Sequence, residues 1–285
     1  MTYSKRRAAI RRRRIFLALT AAVLVLITAS AVLIINAVLK KDKEPSVSSQ
    51  IGSTKTESSA PQKKDNYDPD KKEIVNVGGT ELDANFRRVL LVNNDNPLPD
   101  NYDDMVKDKL KTVDKKYRNN DYVTDVHEDM YPYVTAMVAA AQAQGVDLRV
   151  WSPFRSSATQ RVLFENQVKR MQQQGLTGQA AEDKAATVVT RPGRSEHNTG
   201  LCADFNMAND GFEQTKMFTW MKENAENYGF ILRYPSDKQD KTGIIYESWH
   251  WRFVGINTAK EMNRLNMCLE EYIEYKEIDF KSELN

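Results

Sequence analysis

Two of the three histidines in the sequence lie in short polar segments that also contain carboxylates. His197 belongs to residues 195–200, SEHNTG, and Asp204 follows it by seven residues. His250 belongs to residues 247–251, ESWHW, and follows a glutamate by three residues. Two imidazoles and one carboxylate, with a water in the fourth position, are a ligand set typical of catalytic zinc. A site for one Zn²⁺ ion per chain is therefore one hypothesis for these residues.

The two carboxylates of these segments suit different roles. Asp204 lies between Ala203 and Phe205 in an alternating strand pattern, and burying an unpaired charge there is costly unless a metal supplies the partner. Glu247 precedes His250 and is suited to take a proton from a water whose pKa is lowered by zinc. The residues alone also allow an ordinary hydrogen bond between Asp204 and a histidine, and a surface position for Glu247.

Four motifs follow one another along the chain in a fixed order. They are SPFRS at 152–156, Gln160 five residues after Arg155, SxHxxGxxxD at 195–204, and ExWH at 247–250. This order resembles the VanY-type D-alanyl-D-alanine carboxypeptidases of the M15 metallopeptidase family over about residues 86–268. Pro153 and Phe154 depart from the Ser-Gly-Tyr-Arg-Ser block of that family, which bears on substrate preference more than on the metal site.

The resemblance implies roles for the central residues of the site. The metal ligands fall on His197, Asp204 and His250, and the catalytic base falls on Glu247. Arg155 is implied to be a catalytic and substrate-binding group, because its paired N–H donors can meet a carboxylate or a developing oxyanion. A structural salt bridge is the alternative role for this arginine.

Four further residues are implied to contact the substrate. Gln160 lies a little more than one helical turn after the arginine of its motif, and Ser195 either binds substrate or holds the histidine loop. Tyr234 resembles a substrate-contacting tyrosine of the L,D-carboxypeptidase branch, with core packing as its alternative role. Trp249 is expected to form a wall of the metal pocket. The third histidine, His127, is interpreted as structural or exposed.

Helices followed by short strands must position these residues. We predict helices over 125–144, 157–174, 179–189, 214–228 and 257–275. We predict strands over 147–151, 201–205, 229–233, 243–246 and 249–254. This order indicates an α+β fold. Residues 74–285 are expected to form a single compact metallopeptidase domain with a small, mostly antiparallel sheet and flanking helices.

The N-terminal part predicts a membrane anchor and a tether. Residues 1–14 are basic, and residues 15–39 contain no charged side chain. About 20 apolar residues cross the hydrocarbon core as a helix, so this segment is long enough to span it. The positive-inside rule places the basic segment in the cytoplasm and the following chain outside the cell, and cleavage as a signal peptide is the alternative. Residues 40–73 are polar and predict a disordered linker.

The formal net charge of +2 hides an uneven distribution of charge. Residues 1–41 contain nine Lys or Arg and no acidic residue, so the remaining chain has 32 basic and 39 acidic residues, a net charge of −7. Such a balance argues against a nucleic-acid partner. Cys202 and Cys268 would lie in an oxidising compartment, either as one disulfide or as two buried thiols.

Taken with the resemblance, these features predict a single-pass membrane protein with an extracellular zinc carboxypeptidase domain. Peptidoglycan stem peptides are the expected substrates, and C-terminal D-alanine is the expected product. A D,D-enzyme acting on pentapeptides is the main hypothesis, and an L,D-enzyme acting on tetrapeptides is the alternative. A wall-lytic endopeptidase and a non-catalytic wall-binding domain are further alternatives. The oligomeric state is left open by the sequence.

Overall fold

Short strands form three antiparallel sheets in the computed structural model of the protein, which describes residues 65–284. The strands are β1 (Ile74–Val77), β2 (Thr80–Asp83), β3 (Leu110–Thr112), β4 (Asp125–His127), β5 (Val150–Ser152), β6 (Cys202–Phe205), β7 (Phe230–Leu232) and β8 (His250–Phe253). β1 pairs with β2, β3 pairs with β4, and the other four strands form one sheet in the order β5-β6-β8-β7.

Helices surround this four-stranded sheet and supply most of the remaining structure. The α-helices are α1 (Tyr102–Val106), α2 (Tyr131–Ala143), α3 (Ser157–Gln173), α4 (Gly178–Ala186), α5 (Lys216–Asn224), α6 (Gln239–Thr242), α7 (Ile256–Leu265) and α8 (Leu269–Lys276). The 3₁₀ helices are Lys107–Lys109, Lys115–Tyr117, Glu196–Thr199, Asp210–Gln214, Ala225–Tyr228 and Phe280–Leu284. The predicted α+β class with small antiparallel sheets is confirmed.

The central strands β6 and β8 separate the apolar core from a polar face. Every residue of both strands is buried. Phe205 and Phe253 point into the main core, where they pack with apolar residues of α2. The register pairs Asp204 with His250, and paired residues of an antiparallel sheet lie on the same face. Asp204 and His250 therefore lie side by side on the face opposite the phenylalanines.

Helix α2 is shorter than the helix predicted over 125–144. Residues Asp125–His127 form β4 instead, because Val126 pairs with Lys111 and is fully buried against the core. The helix begins at Tyr131, with Pro132 in its first turn. Proline is tolerated at this position because the N–H groups of the first turn have no partner within a helix.

Three other predictions of secondary structure are wrong in part. The strand predicted over 243–246 is an irregular segment in which the backbone N–H of Ile245 donates to the carbonyl of Thr187, at 2.9 Å. The helix predicted over 257–275 is divided into α7 and α8, because Asn266 adopts a left-handed conformation that ends α7. The helix predicted over 214–228 is interrupted as well, with a 3₁₀ helix on each side of α5.

The N-terminal predictions fall mostly outside the described residues. The predicted anchor, 15–39, and most of the predicted linker, 40–73, lie there. Where the end of the linker is described, Asp65 contacts the domain through an ion pair of 2.8 Å with Arg87. Within residues 65–284, no helix is both long and apolar enough to cross a membrane. Cys202 and Cys268 are both buried and free, so the predicted alternative of two buried thiols is the one observed.

Candidate metal centre and active site

Backbone contacts bring the arginine, histidine and Glu-x-Trp-His motifs together on the polar face of the sheet. The backbone N–H of Arg155 donates to the carbonyl of His197, at 2.9 Å. The Nδ1 atom of His197 lies 2.7 Å from the carbonyl oxygen of Pro153. Gly200 ends the turn that carries His197, with φ of +68°, and a Cβ at this position would lie 2.7 Å from the backbone nitrogen of His127. The turn therefore requires glycine both for its conformation and for its close packing.

The two histidines among the predicted metal ligands both lie close to one carboxylate oxygen of the third, Asp204. Asp204 Oδ1 lies 3.5 Å from His197 Nε2 and 3.3 Å from His250 Nδ1. The two imidazole rings stand edge to face, with centroids 4.8 Å apart. Ligands bound tetrahedrally at about 2.0–2.1 Å from zinc are about 3.3–3.4 Å from one another. The two distances from Asp204 Oδ1 therefore fit side chains that bind one zinc ion.

The hydrogen bonding of Asp204 also fits a metal ligand. Its Oδ1 atom is buried and has no hydrogen-bond partner in the part of the chain that the structure describes. Burial opposes ionisation of this carboxyl, but the charges of His197 and His250 outweigh that effect and hold its pKa well below the usual range. A buried carboxylate with an unused oxygen beside two imidazoles has the chemistry of a divalent-cation ligand.

Cys202 is a second candidate for the third ligand. A donor atom from each of His197, Cys202 and His250 lies within 4.8 Å of the others. The sequence indicates this cysteine only as a possible disulfide partner or a buried thiol. The Oδ1 atom of Asp204 lies 3.5 and 3.3 Å from the two imidazole nitrogens, close to the edge length of a tetrahedral zinc site, so we favour the carboxylate.

Glu247 lies next to this group without joining it. Its Oε2 atom is 3.8 Å from His250 Nδ1, and its side chain is 11% exposed. Burial raises the pKa of Glu247 to about 7, with the charge of Asp204 adding to the rise and those of the nearby histidines and arginine opposing it. A carboxyl with a pKa near neutrality can both accept and return a proton at physiological pH, which suits a general base.

A small cavity of about 50 Å³ opens beside the predicted metal ligands. Its lining consists of Arg155, Gln160, Val188, Val189, Thr190, Ser195, His197, Tyr234, Ile244, Glu247 and His250. The structure thus brings four of the five predicted substrate contacts into one cavity. Trp249 is not part of its lining; this side chain is partly buried and packs against the main core. A larger cavity of about 310 Å³ beside β7 and α7 contains none of the predicted site residues.

Polar atoms in the cavity lining are available to a ligand. Arg155 Nε and Gln160 Oε1 are buried and have no hydrogen-bond partner among the described residues. The amide nitrogen of Gln160 donates to the carbonyl of Thr190, at 2.7 Å, which fixes the orientation of the side chain. The centroids of the Tyr234 and His250 rings are 4.8 Å apart, so this tyrosine contacts a predicted metal ligand and also lines the cavity.

A buried charged cluster behind His250, which the sequence did not predict, is formed by Glu196, Arg233, Arg252 and Glu270. Glu196 Oε1 accepts hydrogen bonds from Arg233 Nε, at 2.7 Å, and from Arg252 Nη1, at 2.8 Å. Its Oε2 atom lies 3.4 Å from His250 Nε2. Burial opposes ionisation of Glu196, but the two guanidinium groups outweigh it and keep the pKa of this carboxyl far below its usual range. The available signal in the sequence was a charged residue, Arg252, in an otherwise apolar part of a strand.

Comparison with known proteins gives matches over the region that carries the site. Residues 123–256 match the family model of VanY, D-alanyl-D-alanine carboxypeptidase. The D-alanyl-D-alanine carboxypeptidase of Enterococcus faecalis is 36% identical over 187 residues, which are 65% of this chain and 65% of that protein. The alignment therefore spans slightly less than two thirds of that relative.

Two solved structures are similar to the described fold. A variant of VanY, a vancomycin-resistance D,D-pentapeptidase solved in complex with Zn(II), is 35% identical with a TM-score of 0.55, over 65% of this chain and 98% of that chain. The LdcB LD-carboxypeptidase, whose structure concerns peptidoglycan recognition, is 32% identical with a TM-score of 0.58, over 72% of this chain and 94% of that chain.

Proposed function

Because this chain belongs to the VanY family of D-alanyl-D-alanine carboxypeptidases, we propose that it is a zinc-dependent hydrolase that removes C-terminal D-alanine from peptidoglycan stem peptides. One observation carries this proposal. The Oδ1 atom of Asp204, which is buried and has no hydrogen-bond partner among residues 65–284, lies within 3.5 Å of two imidazole nitrogens, and Glu247 lies beside them.

In this proposal His197, Asp204 and His250 hold the zinc ion. When bound, zinc lowers the pKa of a coordinated water and polarises the scissile carbonyl. Glu247 accepts the proton of the attacking water on its carboxylate and later returns it to the leaving amine. Its raised pKa makes both transfers accessible at neutral pH, because neither protonation state is strongly disfavoured.

The cavity lining supports a role in binding the end of a peptide. Arg155 has a buried Nε–H without a partner among the described residues, and a guanidinium can form paired hydrogen bonds to a carboxylate or stabilise a developing oxyanion. Gln160 Oε1 offers an unused acceptor for a substrate N–H. We assign Arg155, Gln160, Ser195 and Tyr234 to substrate binding. Trp249 is left with an indirect role at most, since it packs on the core.

A D,D-carboxypeptidase acting on pentapeptides is our main assignment. An L,D-carboxypeptidase acting on tetrapeptides is the alternative, and it is supported by the similarity to LdcB and by the position of Tyr234 in the cavity.

We also propose that residues 15–39 anchor the protein in the cell membrane as a single span, with the catalytic domain outside the cell. The support is the length of the uncharged segment and the basic cluster that precedes it. Expression of the full chain and of a chain lacking residues 1–64 tests this proposal. The full chain is expected in the membrane fraction, with its domain accessible to added protease. Recovery of the full chain in the soluble fraction would contradict it.

Release of D-alanine from defined peptides tests the enzymatic proposal. The full chain, purified in detergent and loaded with zinc, is incubated with a pentapeptide ending in D-alanyl-D-alanine and with the tetrapeptide that lacks the last residue. Release from the pentapeptide alone supports the D,D assignment, and release from the tetrapeptide alone supports the L,D alternative. No release from either peptide by protein with full zinc content would refute a carboxypeptidase function.

A further inference from the structure

We propose that Glu196 is a positioning residue of the metal centre, which holds the His250 ring with Nδ1 toward the metal by accepting a hydrogen bond from Nε2–H. Glu196 is 1% exposed and directly precedes His197 in the chain. It therefore connects two of the three proposed ligands, one through the backbone and one through its side chain. This inference rests on the proposed zinc site.

The two oxygens of Glu196 have separate partners. Oε1 accepts from Arg233, at 2.7 Å, and from Arg252, at 2.8 Å, so both guanidinium groups are bound to one oxygen. Oε2 faces His250 Nε2 at 3.4 Å. The arginines thus fix the plane of the carboxylate and leave its second oxygen directed at the imidazole.

The rest of the cluster keeps Glu196 in place. Arg233 makes two further bonds to Glu270, at 2.6 and 2.8 Å, and Arg252 donates to the carbonyl of Leu90, at 2.9 Å. Both arginines are fully buried. Two arginines and two glutamates balance to zero charge, so Glu196 can remain ionised in the interior without an unpaired charge.

Fixing an acceptor at Nε2 determines which nitrogen of His250 can bind a metal. A neutral imidazole has one N–H donor and one nitrogen with a free lone pair. With the proton held at Nε2 by Glu196, the lone pair lies on Nδ1, which is the atom 3.3 Å from Asp204 Oδ1. Carboxylates that orient metal-bound histidines in this way typically contribute about 10–100-fold to metal affinity.

Glu196→Gln and Glu270→Gln form a matched pair of variants. Each removes one negative charge from the same buried cluster, but Glu270 contacts Arg233 and Asn93 rather than His250. If the amide NH₂ of the side chain introduced by Glu196→Gln faces Nε2, a hydrogen-bond donor replaces the acceptor at that nitrogen. The imidazole then favours the tautomer with its proton on Nδ1, and this tautomer cannot bind a metal through Nδ1. We expect Glu196→Gln in the full chain to weaken zinc binding by about 10–100-fold, measured by competition with a chelator. We expect Glu270→Gln to change it by less than about threefold.

Thermal unfolding of both variants separates this role from a structural one. A purely structural cluster would lower the melting temperature of both variants and leave the zinc affinity of folded Glu196→Gln equal to that of the wild type. That result would overturn the inference. A wild-type chain that binds no zinc would instead refute the proposed function, so the two failures are distinguishable.

NMR spectroscopy of the zinc-loaded wild type supplies a test that does not depend on the folding of a variant. The chain contains three histidines, so ¹⁵N-histidine labelling gives few ring signals to assign. We expect zinc at Nδ1 of His250 and a proton on Nε2 that exchanges slowly with solvent. Coordination through Nε2 of His250 would overturn the inference.

Discussion

Replacing Glu247 with glutamine tests the assigned base with little change in shape. Glu247 Oε2 lies 3.8 Å from His250 Nδ1 and is outside the proposed ligand set, so the variant is expected to keep its zinc. Loss of a positioned general base typically costs about 10²–10⁴-fold in rate. We therefore expect kcat for release of D-alanine to fall by that factor. Glu223→Gln on α5 removes the same charge at an exposed position outside the lining of the cavity, and it is expected to keep wild-type kcat.

The pH dependence of the wild type adds a second measure of the same base. Glu247 acts as a carboxylate, so activity falls as it becomes protonated. Burial raises the pKa of Glu247 to about 7 without a metal, and the charge of a bound zinc ion opposes that rise. We therefore expect kcat/KM of the zinc-loaded enzyme to decline with a midpoint at or below about pH 7, and to fall about tenfold per pH unit below the midpoint. A decline with its midpoint above pH 7 would contradict this assignment.

The result that would refute this reasoning is a Glu247→Gln variant with kcat within tenfold of the wild type at full zinc content. Metal analysis of the same samples is essential to the comparison. If the variant lost zinc together with activity, the loss would be assigned to the metal centre, and Glu247 would have to be reconsidered as a ligand.

Two further predictions concern the third ligand and a histidine outside the site. Asp204→Ala is expected to abolish stoichiometric zinc binding, whereas Cys202→Ala is expected to keep zinc, as measured by metal analysis after dialysis. A thiolate-to-metal charge-transfer band in the cobalt-loaded wild type would instead place Cys202 among the ligands. The Nδ1 atom of His127 accepts a hydrogen bond from the backbone N–H of Asp129, and burial lowers the pKa of this histidine to about 3. In the unfolded chain the same side chain takes up a proton near pH 6.5. The folded state therefore keeps its full stability above about pH 6.5 and loses stability as the pH falls toward 3. The free energy of unfolding, measured with urea between pH 7 and pH 4, should therefore change less steeply with pH in His127→Asn than in the wild type, by up to about 1.4 kcal/mol per pH unit. Identical slopes would contradict this assignment.

The parts of the fold that follow from local pattern were predicted well. Helix α3 lies within one residue of its prediction because Ser156 caps it through Thr159 N and its apolar residues recur at helical spacing. The strands around Asp204 and His250 were also found, since alternation of apolar and polar residues is visible over four or five positions. The predictions failed where the structure is fixed by contacts between residues that are distant in the sequence. Strand β4 was predicted as helix because its pairing with Lys111 and its burial leave no local signal.

The same limit applies to the candidate site. Its proposed ligands and base could be taken from motifs, because each motif is a short segment with characteristic residue types. The cluster around Glu196 could not, because its partners Arg233 and Arg252 lie 37 and 56 residues away in the sequence. Only the folded chain shows that Glu196, which precedes a proposed ligand of one motif, contacts the histidine of another.

The polar face of β6 and β8 explains why the proposed site and the core depend on each other. Asp204 and His250 face the proposed metal position from the two central strands of the sheet, while Phe205 and Phe253 of the same strands point into the main core. A shift of one residue in the pairing of these strands would move every side chain to the opposite face. Core packing therefore fixes the register, and the register fixes the distance between donor atoms. Buried strands with a fixed register can hold donor atoms at the distances that a metal with strict ligand geometry requires.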